Sequence, residues 1–200
     1  MRGRRWQSIW TLCLAILLFG GPAAVLAQDD TLPVTPGAGR YLPAATELGA
    51  DWIDVWQAGI DPGAELFKEG VKGVYGGPGG SRAIVFAWVI QDSVTAVRRS
   101  WEATTDLFDS FRYETADNYD YSAVDDLKSM DPPPGCVEAS RAEGASSKQQ
   151  FPAGITLCAV DPDVIVLAIV SGELDGKQGY AASDALVATV LEHAGQAGSQ

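Results

Sequence analysis

Histidine occurs once in this chain, at position 193, and cysteine three times, at positions 13, 136 and 158. With one His, every Ser-His or Cys-His nucleophile pair would have to run through that residue. Two cysteines with a single distant His make a poor metal set. Basic residues are scarce too: 14 Lys and Arg stand against 26 Asp and Glu, a formal net charge of −12. Such a surface repels phosphate backbones, which argues against nucleic acid as a partner. The Gly-rich stretch from Gly76 to Ser81 is followed by no Gly-Lys-Ser/Thr, so it reads as a turn and not as a phosphate cradle. Ser171-Gly172 lacks the Gly-x-Ser-x-Gly frame of a nucleophile elbow. No cofactor and no metal is predicted.

What the chain does have begins at its N-terminus. Arg2, Arg4 and Arg5 precede an apolar core from Ile9 to Phe19, Gly20-Gly21-Pro22 breaks it, and Ala24-Val25-Leu26-Ala27 offers small residues to a signal peptidase. This predicts a signal peptide over residues 1–27, cleaved after Ala27, and a secreted or extracytoplasmic protein. The alternative is an uncleaved anchor, the one case in which a membrane becomes a partner. Cleavage removes three arginines and no acid, deepening the charge to −15, and it leaves Cys136 and Cys158 together in an oxidising compartment.

Residues 28–40 are rich in Asp, Thr, Pro and Gly and read as a flexible leader. A single domain is expected over 41–195, with a tail at 196–200. Within it, Pro43 to Leu48 reads as a short helix, Trp52 to Gln57 as a strand and 61–70 as a turn of helix. Val71 to Tyr75 and Arg82 to Gln91 read as a hairpin closed by the 76–81 turn. Ala83 to Ile90 is apolar on both faces, which places it centrally in a sheet. An amphipathic helix follows from Asp92 to Phe111, with Val94, Val97, Trp101 and Phe108 on its inner face.

The acidic, tyrosine-bearing stretch 113–135 reads as a connection with a short helix at Ser122 to Ser129. Cys136 to Arg141, Gly154 to Val160 and Val164 to Val170 read as strands, with a polar loop over 142–153. Ser183 is placed as the cap of a closing helix with Leu186, Val187 and Val190 inward. The class is α+β: an antiparallel sheet of about five to six strands, with two amphipathic helices packed on it.

Cys136 and Cys158 are predicted to form a disulfide, facing each other across the strands 136–141 and 154–160. His193, in the last turn of the closing helix, is placed to cap the terminal carbonyls. The acids between Glu114 and Asp131 fail the calcium-loop frame and read as a solvated loop; a weak cation or ligand site there is the alternative. Trp52, Trp56, Tyr119, Asp120 and Tyr121 are the candidate ligand contacts, because aromatics and acids interleave in a loop. For Trp52, Trp56 and Trp88, core packing is the competing role.

Leu42-Pro43 with Leu48-Gly49 before Trp52, the Gly135-Cys136 strand start, Cys158 and the apolar run Val164 to Val170 carry a resemblance. The order of elements resembles exported bacterial domains of the PsbP/Mog1-like class and the extracellular sensor domains of actinobacterial Ser/Thr kinases. That resemblance implies an α+β sandwich used for binding or partner contact, with no catalytic set to transfer. The function expected is therefore non-enzymatic: binding of a small ligand or a protein partner outside the cytoplasm. The rivals are a carboxylate-dependent hydrolase, drawing on the 114–131 acids and on Glu65, Glu69 or Asp163, and a structural subunit of an exported complex.

Overall fold

The computed structural model describes residues 32–61, 67–90, 121–124, 127–146, 152–160 and 163–198. The segment 1–27 read as a signal peptide, residues 28–31 of the stretch read as a leader and the helix read from Asp92 to Phe111 lie outside them. Residues 32–200 belong to one compact unit, and among its described residues the architecture is α+β.

Among the described residues eight strands form one sheet, all neighbours antiparallel: β1 (Ile53–Gly59), β2 (Phe67–Gly76), β3 (Arg82–Ile90), β4 (Tyr121–Val124), β5 (Lys128–Met130), β6 (Glu138–Ser146), β7 (Pro152–Val160) and β8 (Val164–Ser171). Their order is β1-β2-β3-β8-β7-β6-β4, with β5 also on β6. The strand from Arg82 to Ile90 is central, as its two apolar faces require. It pairs with β2 through a turn in which Gly79 and Gly80 take φ of 64° and 83°, a conformation open to glycine at no steric cost.

The sheet is wider and its strands are longer than the sequence pattern indicates, in three places. Residues 67–70 are strand and not helix, since Phe67 and Glu69 pair with Ile90 and Val89 in continuation of the hairpin. The helix expected at Ser122 to Ser129 is replaced by β4 and β5, both laid on β6. The polar loop expected over 142–153 is mostly ladder, because β6 runs to Ser146 and β7 starts at Pro152. In each case pairing with a neighbouring strand overrides the weak local preference.

The two faces differ in side-chain size. Ala83, Val85, Ala87, Val166 and Ala168 line one face, while Ile84, Phe86, Trp88, Leu167 and Ile169 line the other. On the small-residue face pack α1 (Pro36–Gly39), α2 (Ala45–Leu48) and α3 (Tyr180–Ala197). Small side chains there let helices and strap lie close, so Leu186, Val187 and Val190 reach full burial. The flexible leader is overturned from Leu32 onward. Ala38 is fully buried, and Leu32 bridges Gly59 beside β1.

Cys136 and Cys158 form a disulfide, with their Cα atoms 5.6 Å apart. The cross-strand partner of Cys158 is Ala139, not Cys136, which precedes β6 in a turn where its N–H donates to Pro133 O. The bond therefore ties the 131–137 turn to β7. Since it closes a loop of residues 22 apart, reduction should lower stability by about 3 kcal/mol under the chain-entropy account. Alkylation without reductant should leave the intact mass of the oxidised chain unchanged; uptake on two thiols would refute the bond.

Candidate functional site

Among the described residues no group of three or more His, Cys, Asp or Glu lies together in a metal-holding arrangement. No helix among them is long and apolar enough to cross a membrane. The polar groups that are brought together mostly fasten one element to another.

Arg141 on β6 is the clearest case. Its side chain is 9% exposed and its Nε lies 2.9 and 3.0 Å from the two carboxylate oxygens of Asp184 on α3, while Nη1 donates to Asp131 O at 2.9 Å. Thr156 on β7 donates to Asp184 Oδ1 at 2.7 Å and shares a 2.8 Å hydroxyl contact with Ser183. Ser183 is accordingly not a helix cap. It sits in the first turn of α3, fully buried, with its hydroxyl on Tyr180 O. The helix starts instead after Gly179, whose φ of 57° makes the turn, and Glu143 Oε1 accepts from Tyr180 N at 3.4 Å.

His193 caps no carbonyl either: its Nδ1 lies 2.9 Å from Glu47 Oε2, tying α3 to α2. The same carboxylate oxygen accepts from Ala44 N, closing the first turn of α2. Tyr75, fully buried, donates to Pro43 O at 2.9 Å. Burial, reinforced by the charge of Asp54, pushes its phenol far above the ordinary value, so it stays a donor.

Glu69, one of the carboxylates on which the hydrolase reading draws, is engaged in the same way. It accepts from Thr35 Oγ1 at 2.5 Å and from Ala38 N at 3.0 Å, clamping α1 to β2. The Thr35 hydrogen bond first, then the Ala38 N–H and the Lys68 charge, hold its carboxyl below the ordinary range against the opposing effect of burial. A carboxylate depressed in the folded state contributes stability above its unfolded pKa and loses it as pH falls through the folded one. Glu69→Gln should therefore melt lower at neutral pH and lose part of the stability slope below about pH 4.5. Parallel melting curves for the two proteins from pH 7 to acid would refute the clamp.

Among the described residues Trp52 and Trp56 are not brought together. Trp52 is buried on the small-residue face, and its ring covers Gly49 and Gly77. Trp56, half-buried, packs against the opposite face, where Lys72 Nζ lies 5.5 Å from its ring centroid and 5.2 Å from that of Phe86. Trp88 stacks on Phe86 in the core. Tyr119 and Asp120 lie outside the described residues. Tyr121 starts β4 opposite Ser146.

Among the described residues one surface is not used internally. β1 is an outer strand, and Gly59 N donates outward to Leu32 O at 2.8 Å. By the two-residue period of a strand the backbone groups of Gln57 point the same way. Among the described residues no strand pairs with Ile53–Gln57 on that side.

Ile53 and Val55 are 64% and 57% exposed there, leaning over Gly76, which has no side chain to cover them. A bulge between Asp54 and Trp56 turns Trp56 to the same face. Asp54 and Gln57 occupy the other face, where the Gln57 amide donates to Asp54 Oδ1 at 3.1 Å and to Tyr75 OH at 3.4 Å. The segment reads as a strand from its sequence, but its place at the edge follows only from the pairing of the sheet. The Ile53-Asp54-Val55 alternation was the available signal.

No family model and no curated protein matches the chain.

Proposed function

We propose that this protein is an exported, non-catalytic binding domain that contacts a protein partner along the outer edge of β1. The observation that carries the reading is the exposure of Ile53 and Val55 on a strand whose outer backbone is unpaired among the described residues. An unpaired edge presents a row of donors and acceptors that an added strand satisfies, and alternate side chains supply selectivity. The N-terminal charge, apolar core and small-residue pattern support export, as does the Cys136–Cys158 disulfide. A small-ligand site at the tryptophans draws less support, since Trp52 and Trp56 lie on opposite faces of the sheet. A carboxylate hydrolase draws less as well, given the engagement of Glu69.

Photo-crosslinking tests the reading in the native host. A crosslinking side chain at Ile53 or Val55 should give one discrete protein adduct that is absent when the same group replaces Lys128, an exposed residue of β5. Equal labelling from all three positions, or none from Ile53 and Val55, would overturn it.

A further inference from the structure

The two faces of the β1 edge differ in chemistry, and an added strand inherits that difference. On one face stand Ile53, Val55 and the half-buried Trp56; on the other, Asp54 and Gln57. Side chains of an incoming strand alternate between these faces, and cross-strand neighbours approach within about 4.5–5.5 Å. Apolar, β-branched side chains suit the first face and cations the second. Asp51, exposed immediately before the strand, extends the negative charge of that edge.

A second copy of the chain fits poorly. Each copy carries a net charge of −12 before cleavage, and pairing would set one acidic edge against another. The same charge disfavours an anionic membrane surface.

We infer that β1 takes an extended segment of another exported protein in which β-branched residues alternate with Lys or Arg. The inference rests on the reading of β1 as a binding edge given above and adds the chemistry of the partner. It is tested on the full chain as exported, with three synthetic peptides as probes, each matched in length to β1. One alternates Val or Thr with Lys, one alternates Val or Thr with Glu, and the third is the Lys peptide with N-methyl groups along one edge.

The Lys peptide should slow hydrogen exchange at the Gln57 amide and shift the Ile53 and Val55 methyl resonances. The Glu peptide should bind about tenfold more weakly, and Asp54→Asn should weaken the Lys peptide about threefold. N-methylation should abolish protection, because it removes the ladder donors. Val55→Lys should do the same with an unchanged melting temperature, since the position is exposed and an edge lysine resists pairing. Equal affinity for the Lys and Glu peptides would overturn the basic partner and leave the edge reading standing. No protection at Gln57 with any peptide would overturn both. Concentration-dependent self-association through Ile53 and Val55 without peptide would assign the edge to a second copy and overturn the proposal.

Discussion

Gly154→Ala should destabilise the protein by about 4 kcal/mol, although it adds one methyl group. Gly154 lies on β7 directly beneath the start of α3. A Cβ built there would stand 1.9 Å from the carbonyl oxygen of Gly179, 2.1 Å from its carbon and 2.5 Å from Tyr180 N. All three are backbone atoms, so no rotamer change relieves the clash. Relief requires lifting the N-terminal turn of α3 away from the sheet, which strains the Arg141–Asp184 and Thr156–Ser183 contacts one turn further along.

Gly195→Ala is the matched control, in the same helix with nothing within 4 Å of the added atom. It should stabilise by about 0.5–1 kcal/mol, the helix-propensity difference. Thermal or urea melts of the two variants should thus move in opposite directions. A Gly154→Ala protein that melts within a degree of the parent would refute the close approach of α3 to β7.

Asp184→Ala should cost about 3–4 kcal/mol, because it strands Arg141. The guanidinium side chain is 9% exposed and Asp184 25%, so the pair is largely withdrawn from water and its charges are weakly screened. Removing the acid leaves a buried cation whose remaining partner among the described residues is the Asp131 carbonyl, and it also takes an acceptor from Thr156.

Removing both charges is a different experiment. Arg141→Met with Asp184→Leu eliminates the desolvation cost together with the attraction, and Thr156 keeps its Ser183 partner. The double variant should recover most of the loss, giving a strongly non-additive cycle. Additive losses from the two single variants, measured by denaturant unfolding, would show that the pair contributes nothing as a pair.

The Arg141–Asp184 and Thr35–Glu69 contacts leave little trace in the order of residues. Arg141 and Asp184 are 43 positions apart, and Thr35 and Glu69 are 34 apart. Each looks locally like an ordinary solvated charge or hydroxyl. The central strand from Arg82 to Ile90 is legible because an uninterrupted apolar run has nowhere to sit except between two covered faces. The inner face of the closing helix is legible from Leu186, Val187 and Val190 at helical spacing, while its cap lies four residues earlier than the residue types indicate, at Gly179 and not Ser183. Ser183 resembles a cap by residue type, but Gly179 makes the turn and the hydroxyl is spent on Thr156. β4 and β5 escaped notice because short, polar edge strands form only where a neighbour supplies the ladder.

The acidic charge, the mixed α+β class, the 76–81 hairpin turn and the identity of the disulfide cysteines were determined by the sequence alone. These properties depend on composition, on local periodicity or on there being few candidates to pair. Tertiary structure decided which strand is an edge, which face of the sheet carries small residues, which carboxylates are engaged and where the tryptophans end up. Trp52 and Trp56 are four residues apart, yet a bulge and one turn of pleat send them to opposite faces. A side chain's exposure and partners are set by segments far away in the chain, and pattern within a window of a few residues carries no record of them.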